Sequence, residues 1–361
     1  MIRAFLAAAL ALFAAPAAAA DWPVREGDFI ARDVRFKSGE TMAEVRLHYR
    51  LLGTPHRNAA GAIDNAVMVL HGTGGSGANF LVPHFADELY GPGAPFDLAT
   101  TLVILPDNIG HGASSKPSDG LRLKFPHYDY DDMVALQHRL LVEGLGVTRL
   151  KLILGTSMGC MHAFVWGETF PGFAERLAPF ACNPVPIAGR NRMWRKMAIE
   201  AIRADPAWAE GNYTSPPLMG VRAAADLLIL AGLNPVAAQA QFPTRAGADA
   251  ALDTALARAR QFDANDALYY LDASRNYDPA PALEKITVPL LWINSADDFI
   301  NPPELGFQAT LGPRMPRART RLIAASAETK GHGTHTWARF WKADLAALLA
   351  TPALPNPGAA R

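Results

Sequence analysis

Charge of neither sign predominates in this chain: 34 lysines and arginines face 34 aspartates and glutamates, and no basic run breaks the balance. Without a positive field there is no footing for nucleic acid or an anionic membrane surface, and a small neutral molecule fits the composition better as a partner. Cysteine is nearly absent, with only Cys160 and Cys182. Two lone thiols make a poor metal site. Export would allow them to pair, but small buried free thiols are the commoner state of cysteine and are the expectation here. Long apolar runs are also missing after the first residues. The opening stretch, Met1-Ile2-Arg3 followed by Ala4 to Ala15 and Pro16 to Ala20, is short, mostly alanine and interrupted by proline. It reads as a secretory signal peptide over residues 1–20, cleaved before Asp21 by an Ala-x-Ala rule, rather than as an anchor. No cysteine stands at the cleavage site to carry a lipid, so a periplasmic or secreted protein with no membrane span after processing is expected.

What the chain does have is Leu154-Gly155-Thr156-Ser157-Met158-Gly159-Cys160. The run Leu150-Lys151-Leu152-Ile153 precedes it as a strand, and Met161 to Trp166 follows as a helix. Strand, Gly-x-Ser-x-Gly, helix is the context of a nucleophile elbow. Glycine at 155 and 159 leaves room for the sharp turn, and Ser157 stands at a helix N-terminus, where developing negative charge is favoured. Such a serine needs a base, an acid and an oxyanion hole.

The length, half of it apolar, suffices for one large α/β domain with an insertion. Asp28 to Phe36 and Glu44 to Leu51 alternate apolar and polar residues, as half-exposed antiparallel edge strands do. Ala66 to Leu70 is continuously apolar, as a central parallel strand should be, and leads into His71-Gly72-Thr73-Gly74-Gly75-Ser76-Gly77. Here the Thr73 N–H is the expected oxyanion donor beside that of Met158. No Lys-Ser/Thr follows these glycines, which argues against a phosphate loop and leaves no cofactor to be inferred. Asn79 to Tyr90 has helical spacing, Thr101 to Leu105 is the next buried strand, and Asp131 begins a further helix. His111, in Asp107-Asn108-Ile109-Gly110-His111-Gly112, is read as part of a tight structural turn and not as a catalyst. From Asn183 to about Lys285 the pattern becomes helical without a convincing strand: Arg190 to Arg203, Val221 to Ala231, Asp249 to Phe262 and Ala267 to Arg275. The chain thus divides into a first core segment over residues 21–183, a helical lid over 184–285 and a second core segment over 286–361. Trp194, Trp208, Tyr213, Met193, Met197, Tyr269 and Tyr270 are lid residues that either wall a pocket or pack on one another.

The core resumes with the strand Val288 to Asn294, whose carboxyl end carries Asp297 and Asp298, and with Thr320 to Ala325, followed by His332 and His335. Consecutive side chains of an extended segment point in opposite directions, so only one of the two aspartates can face the base. His332 lies in the loop after the last strand, and His335 near the start of a helix from Trp337 to Leu349. Serine, acid and histidine in this order, each after a strand, predict an α/β-hydrolase fold with a mostly parallel central sheet.

The chain resembles the homoserine O-acetyltransferase branch of the α/β-hydrolases over most of its length after residue 20. The stretches that carry the likeness are Leu89 to Gly93 with Phe96-Asp97, Phe125-Pro126 through Val134, Leu154 to Met161, Ala201 to Pro206 with Trp208, Gly211 and Tyr213, Phe262 to Asn265, and Asp298 with Pro302-Pro303-Glu304. The resemblance implies Ser157, Asp298 and His332 as a catalytic triad. Departures accompany it: Cys160 stands where the acetyltransferases generally have a second glycine, Ser114-Ser115-Lys116-Pro117 replaces a Ser-Thr-Gly-Pro turn, and the lid lacks a clear counterpart of the Arg-Phe stretch associated with the amino-acid substrate. These point toward hydrolysis of a small carboxylic ester, with acyl transfer from acyl-CoA as the rival, a noncatalytic binding protein as the more distant one, and a homodimer left open.

Overall fold

The computed structural model describes residues 22–259 and 262–352. The expected signal peptide over residues 1–20 lies outside them. Eight strands, β1 (Arg25–Arg35), β2 (Thr41–Leu52), β3 (Ala66–Leu70), β4 (Leu102–Pro106), β5 (Leu152–Thr156), β6 (Leu177–Phe180), β7 (Leu290–Ser295) and β8 (Ala318–Ile323), form one sheet in the order β1-β2-β4-β3-β5-β6-β7-β8. The pairs β1–β2 and β2–β4 are antiparallel and all the others parallel.

Burial follows from this order. Strands β3 to β7 are buried at every residue, because both faces of the parallel sheet are covered. Alternate residues feed opposite layers: Met68, Leu70 and Ile153 join Phe164, Trp166 and Trp292 on one side, while Val67, Val69, Leu152 and Leu154 join Phe80, Phe85 and Trp341 on the other. Each such large side chain, fully removed from water, contributes on the order of 1.5–3 kcal/mol.

The helices flanking the sheet are α1 (Pro83–Leu89), α2 (Tyr130–Arg139) and α3 (Met158–Thr169), and later α9 (Phe307–Leu311) and α10 (Lys342–Ala350). Asp129 caps α2 by accepting from the Asp132 N–H, and the Asp132 carboxylate in turn accepts from the Asp129 N–H. The helix expected over Asn79 to Tyr90 is divided: a 3₁₀ turn spans Gly77–Leu81, and Pro83 starts α1 afresh at its first position. The helix expected from Trp337 likewise divides into a 3₁₀ turn at Ala338–Phe340 and α10.

Between β6 and β7 the described chain holds no strand but five α-helices, α4 (Gly189–Ala204), α5 (Leu218–Gly232), α6 (Pro235–Gln241), α7 (Arg245–Ala259) and α8 (Ala264–Asp272). Of these, α4, α5 and α8, with a 3₁₀ turn at Pro206–Gly211, share a small core of their own that includes Trp194, Ile199, Ile202, Trp208, Leu268 and Tyr270, and α7 packs on α5 through Leu256 and Ala225. Helix α6 was not visible as apolar spacing; Asn234 defines it by capping the N–H groups of Val236 and Ala237, with Pro235 next. Among the described residues no single helix is long and apolar enough to cross a membrane, and the pair α5 and α6 is bent by 101°.

Candidate active site

The elbow is set by backbone. Ser157 has φ 56° and ψ −111°, a conformation that costs a side-chain-bearing residue energy and that functional sites are known to hold. Its N–H donates to the Phe180 carbonyl at 2.9 Å, and the Gly159 N–H donates to that of His71 at 3.0 Å, which locks the turn between β6 and β3. A Cβ on Gly155 would lie 1.9 Å from the Gly159 carbonyl oxygen, and one on Gly159 would lie 2.1 Å from that of Leu70. Both glycines are therefore required by close approach.

Three side chains meet at this turn. His332 Nε2 lies 2.8 Å from Ser157 Oγ, and His332 Nδ1 lies 2.8 Å from Asp298 Oδ2. An ionised carboxylate only accepts, so Nδ1 carries the proton and Nε2 is left to accept from the serine hydroxyl. Burial works to raise the Asp298 carboxyl, but attraction to His332 and hydrogen bonds from His332 and Asn301 outweigh it and hold the group below the usual carboxylate range. The Asp298 side chain is anchored at both oxygens: the N–H groups of Ile300 and Asn301 donate to Oδ1, and Asn301 Nδ2 to Oδ2. Asn301 also donates to the Ala181 carbonyl, tying the acid to the end of β6. Sequence reading passed over Asn301, although an Asp-x-x-Asn turn after a strand is a signal that could have found it.

Asp297 faces elsewhere. Its carboxylate accepts from Ser295 Oγ, Asn234 Nδ2, Thr329 Oγ1 and the Gly331 N–H, so it braces the loop that carries His332. His335 stands with its ring 5.0 Å from that of His332 and makes no bond to Ser157. Burial, and then repulsion from His332, push its pKa down to about 3.

The N–H groups of Thr73 and Met158 have no backbone carbonyl acceptor among the described residues. Met158 is the first residue of α3, where an N–H has no partner within the helix. The loop of Thr73 lies against the serine: a Cβ on Gly72 would be 3.2 Å from that of Ser157. His71 holds this loop, with Nδ1 bonded to the Gly72 carbonyl and Nε2 accepting from the Asn108 N–H and side chain. Asp107 fixes it from the other side, accepting from Arg50, from the Gly77 N–H and from the Ala113 N–H. His111 is buried against His71 and Tyr270, with a pKa pushed down to about 3, first by burial, and it does not line the cavity.

That cavity has a volume of about 1350 Å³ and opens over Ser157, with walls from residues 183–195, 228–236 and 296–307. The large lid residues expected to wall a pocket or pack on one another are mostly elsewhere. Of the seven, Trp194 alone lines the cavity; Trp208, Tyr213 and Tyr270 pack in the lid core, Tyr269 packs on Phe125 and Tyr128, and Met193 and Met197 are exposed.

The cysteines correct the sequence expectation. Cys160 and Cys182 form a disulfide, with Cα atoms 5.8 Å apart, instead of remaining free thiols. Composition could not reveal the pairing, because it depends on α3 and the end of β6 lying side by side. The bond joins the first turn of α3 to a residue that lines the cavity.

Residues 65–307 match the model of the family described as alpha/beta hydrolase fold. The chain is similar to a homoserine O-acetyltransferase of Pelobacter propionicus, 29% identical over 317 residues, covering 78% of this chain and 84% of that protein. It is also similar to a probable acyltransferase of Methanothermobacter thermautotrophicus, 29% identical over 278 residues, with 77% and 84% covered. Among solved structures it is similar to the homoserine O-acetyltransferase from Bacillus anthracis, with TM-score 0.79, 21% identity, and 92% and 99% of the two chains covered. An acetylester hydrolase from Corynebacterium glutamicum superposes with TM-score 0.79 at 20% identity, covering 91% and 96%. At these identities the structural likeness is one of fold. Sheet order, inserted helices and the match over residues 65–307 place the chain in the alpha/beta hydrolase fold family, in its homoserine O-acetyltransferase-like branch.

Proposed function

We propose that the protein is an exported serine esterase. The observation that carries the reading is the hydrogen-bonded chain Asp298–His332–Ser157 at the head of a cavity large enough for a small ester. In this mechanism His332 takes the Ser157 proton as Oγ attacks the ester carbonyl. The N–H groups of Thr73 and Met158 hold the oxyanion, and Asp298 stabilises the imidazolium. The imidazolium returns its proton to the departing alcohol. Water, deprotonated by the same histidine, then releases the acid and restores the serine. Export rests on the first twenty residues, and the Cys160–Cys182 disulfide supports it, since such bonds persist in oxidising compartments.

The second reading is acyl transfer from acyl-CoA to an alcohol, favoured by the relatives named homoserine O-acetyltransferase and probable acyltransferase. Both readings share the acyl-serine and differ in what deacylates it. A fluorophosphonate probe tests the shared part: mass spectrometry is expected to find the adduct on Ser157 and to find it lost in His332→Ala. Labelling elsewhere would move the nucleophile away from Ser157, and no labelling would remove both readings and leave a binding protein on a hydrolase scaffold.

A further inference from the structure

The catalytic cavity holds a cation that the described protein does not neutralise. Arg195, in α4, lines the cavity and is only 3% exposed. Its Nε donates to Asn191 Oδ1 at 3.0 Å and its Nη1 to the Leu271 carbonyl at 3.3 Å; the guanidinium also faces the Tyr130 hydroxyl and lies 4.8 Å from the centroid of the Trp194 ring. No carboxylate among the described residues pairs with it; burial works against its charge, the Tyr130 hydroxyl offsets part of that, and a second cation, Arg192, adds to it. Burial of an unpaired guanidinium is costly unless a bound group offsets it.

Its neighbours are in the same condition. The Tyr130 hydroxyl, which does not line the cavity, faces Arg195, Ser274 and Thr73 and is buried without a well-formed hydrogen bond. Thr73 and Trp194 line the cavity, and Thr73 Oγ1 and Trp194 Nε1 are likewise buried without a well-formed hydrogen bond. Every one of these groups can donate. The carboxylates that line the same cavity offer them nothing: Asp298 is taken by His332 and Asn301, Asp297 by four donors, and Glu304 is exposed.

We propose that Arg195, with the Thr73 hydroxyl, is a subsite for a carboxylate of the substrate, so that the preferred ester is a half-ester or an acyloxy acid and not a neutral ester. A carboxylate has two oxygens for these donors, and charge-assisted bonds to a guanidinium are the strong kind. Thr73 contributes its N–H toward the oxyanion and its hydroxyl toward the subsite, which sets the carboxylate a short chain from the scissile carbonyl. The overall charge balance of the sequence hides this preference, because one buried cation does not register in a sum. That the anion belongs to an ester rests on the esterase reading; that an anion binds here does not.

The test has two arms. Ester hydrolysis is compared within two pairs, monoethyl succinate against ethyl succinamate and 3-acetoxypropanoate against 3-acetoxypropanamide, which place the carboxylate in the acyl or the alcohol part. At least one pair should favour the anion by about 10- to 100-fold in kcat/KM, chiefly through KM, and the ratio should collapse toward one in Arg195→Met and be partly kept in Arg195→Lys. In the second arm, calorimetry follows succinate binding to Ser157→Ala and to Ser157→Ala with Arg195→Met; binding should be lost in the second. Should Arg195→Met fail to fold, Arg195→Gln carries the same comparison. Equal succinate binding by both, or binding by neither, overturns the subsite whatever the esters do. Arg195-dependent binding without hydrolysis of any ester overturns the esterase reading and leaves the subsite standing.

Discussion

Asp297 and Asp298 are adjacent in the chain and serve different partners: Asp298 Oδ2 meets His332 Nδ1 at 2.8 Å, while Asp297 Oδ2 accepts from Asn234, Thr329 and the Gly331 N–H. One bonds the His332 ring and the other holds the loop that carries it. The two substitutions should therefore differ in kind. Asp298→Asn is expected to lose about 10⁴-fold in kcat with a nearly unchanged melting temperature, as orienting carboxylates do elsewhere. Asp297→Asn is expected to lower the melting temperature and to lose less activity. Thermal melts with ester kinetics on both variants decide it; the reverse ranking in activity would remove Asp298 from its role.

The elbow glycines predict a failure of folding and not of chemistry. Overpacking in a core ordinarily costs about 1–3 kcal/mol, but in Gly155→Ala the new methyl would meet the backbone oxygen of Gly159, which has no side-chain freedom with which to yield. The variant should express as aggregate or melt far below wild type. A soluble Gly155→Ala chain with wild-type melting would contradict the described turn.

The disulfide closes a separation of 22 residues, which by loop entropy corresponds to about 3 kcal/mol. Reduction, or the double change Cys160→Ala and Cys182→Ala, should lower the melting temperature by several degrees. Thiol counting of the unfolded chain under non-reducing conditions should return none; two free thiols would refute the pairing.

Glu168 gives a pH signature. Burial, and after it the charge of Asp131, raise its carboxyl to about 7. The folded state disfavours the anion, so stability falls as pH rises from the ordinary glutamate value through about 7 and is constant above. Glu168→Gln should accordingly raise the melting temperature at pH 8 and leave it unchanged near pH 4. The check is a pair of melts at each pH, and an equal gain at both would mean that packing, not ionisation, is responsible.

The main lines of this site were legible because they are local. Gly155-x-Ser157-x-Gly159 after an apolar strand, an acid after β7 and His332 after β8 each announce themselves in a few residues. Alternation says only that one of Asp297 and Asp298 can face the base; the choice of Asp298 comes from the family resemblance, and it is Asp298 that bonds His332. What was hidden is tertiary. The Cys160–Cys182 bond depends on two segments 22 residues apart being brought to one edge of the sheet. Helix α6 depends on a cap at Asn234, whose amide also reaches Asp297, more than on apolar spacing. The lid aromatics were recognisable as apolar without any sign of which would face the cavity, because each of α4, α5 and α8 has two neighbours to pack against.

The central claim is that acyl-Ser157 is released by water. Purified residues 21 onward should be incubated with simple and carboxylated esters in buffer alone, and separately with acetyl-CoA and homoserine, with Ser157→Ala as the control for each. The account predicts ester hydrolysis without CoA, reduced by several orders of magnitude in Ser157→Ala, and little O-acetylhomoserine. Rapid formation of O-acetylhomoserine with negligible ester hydrolysis would contradict it.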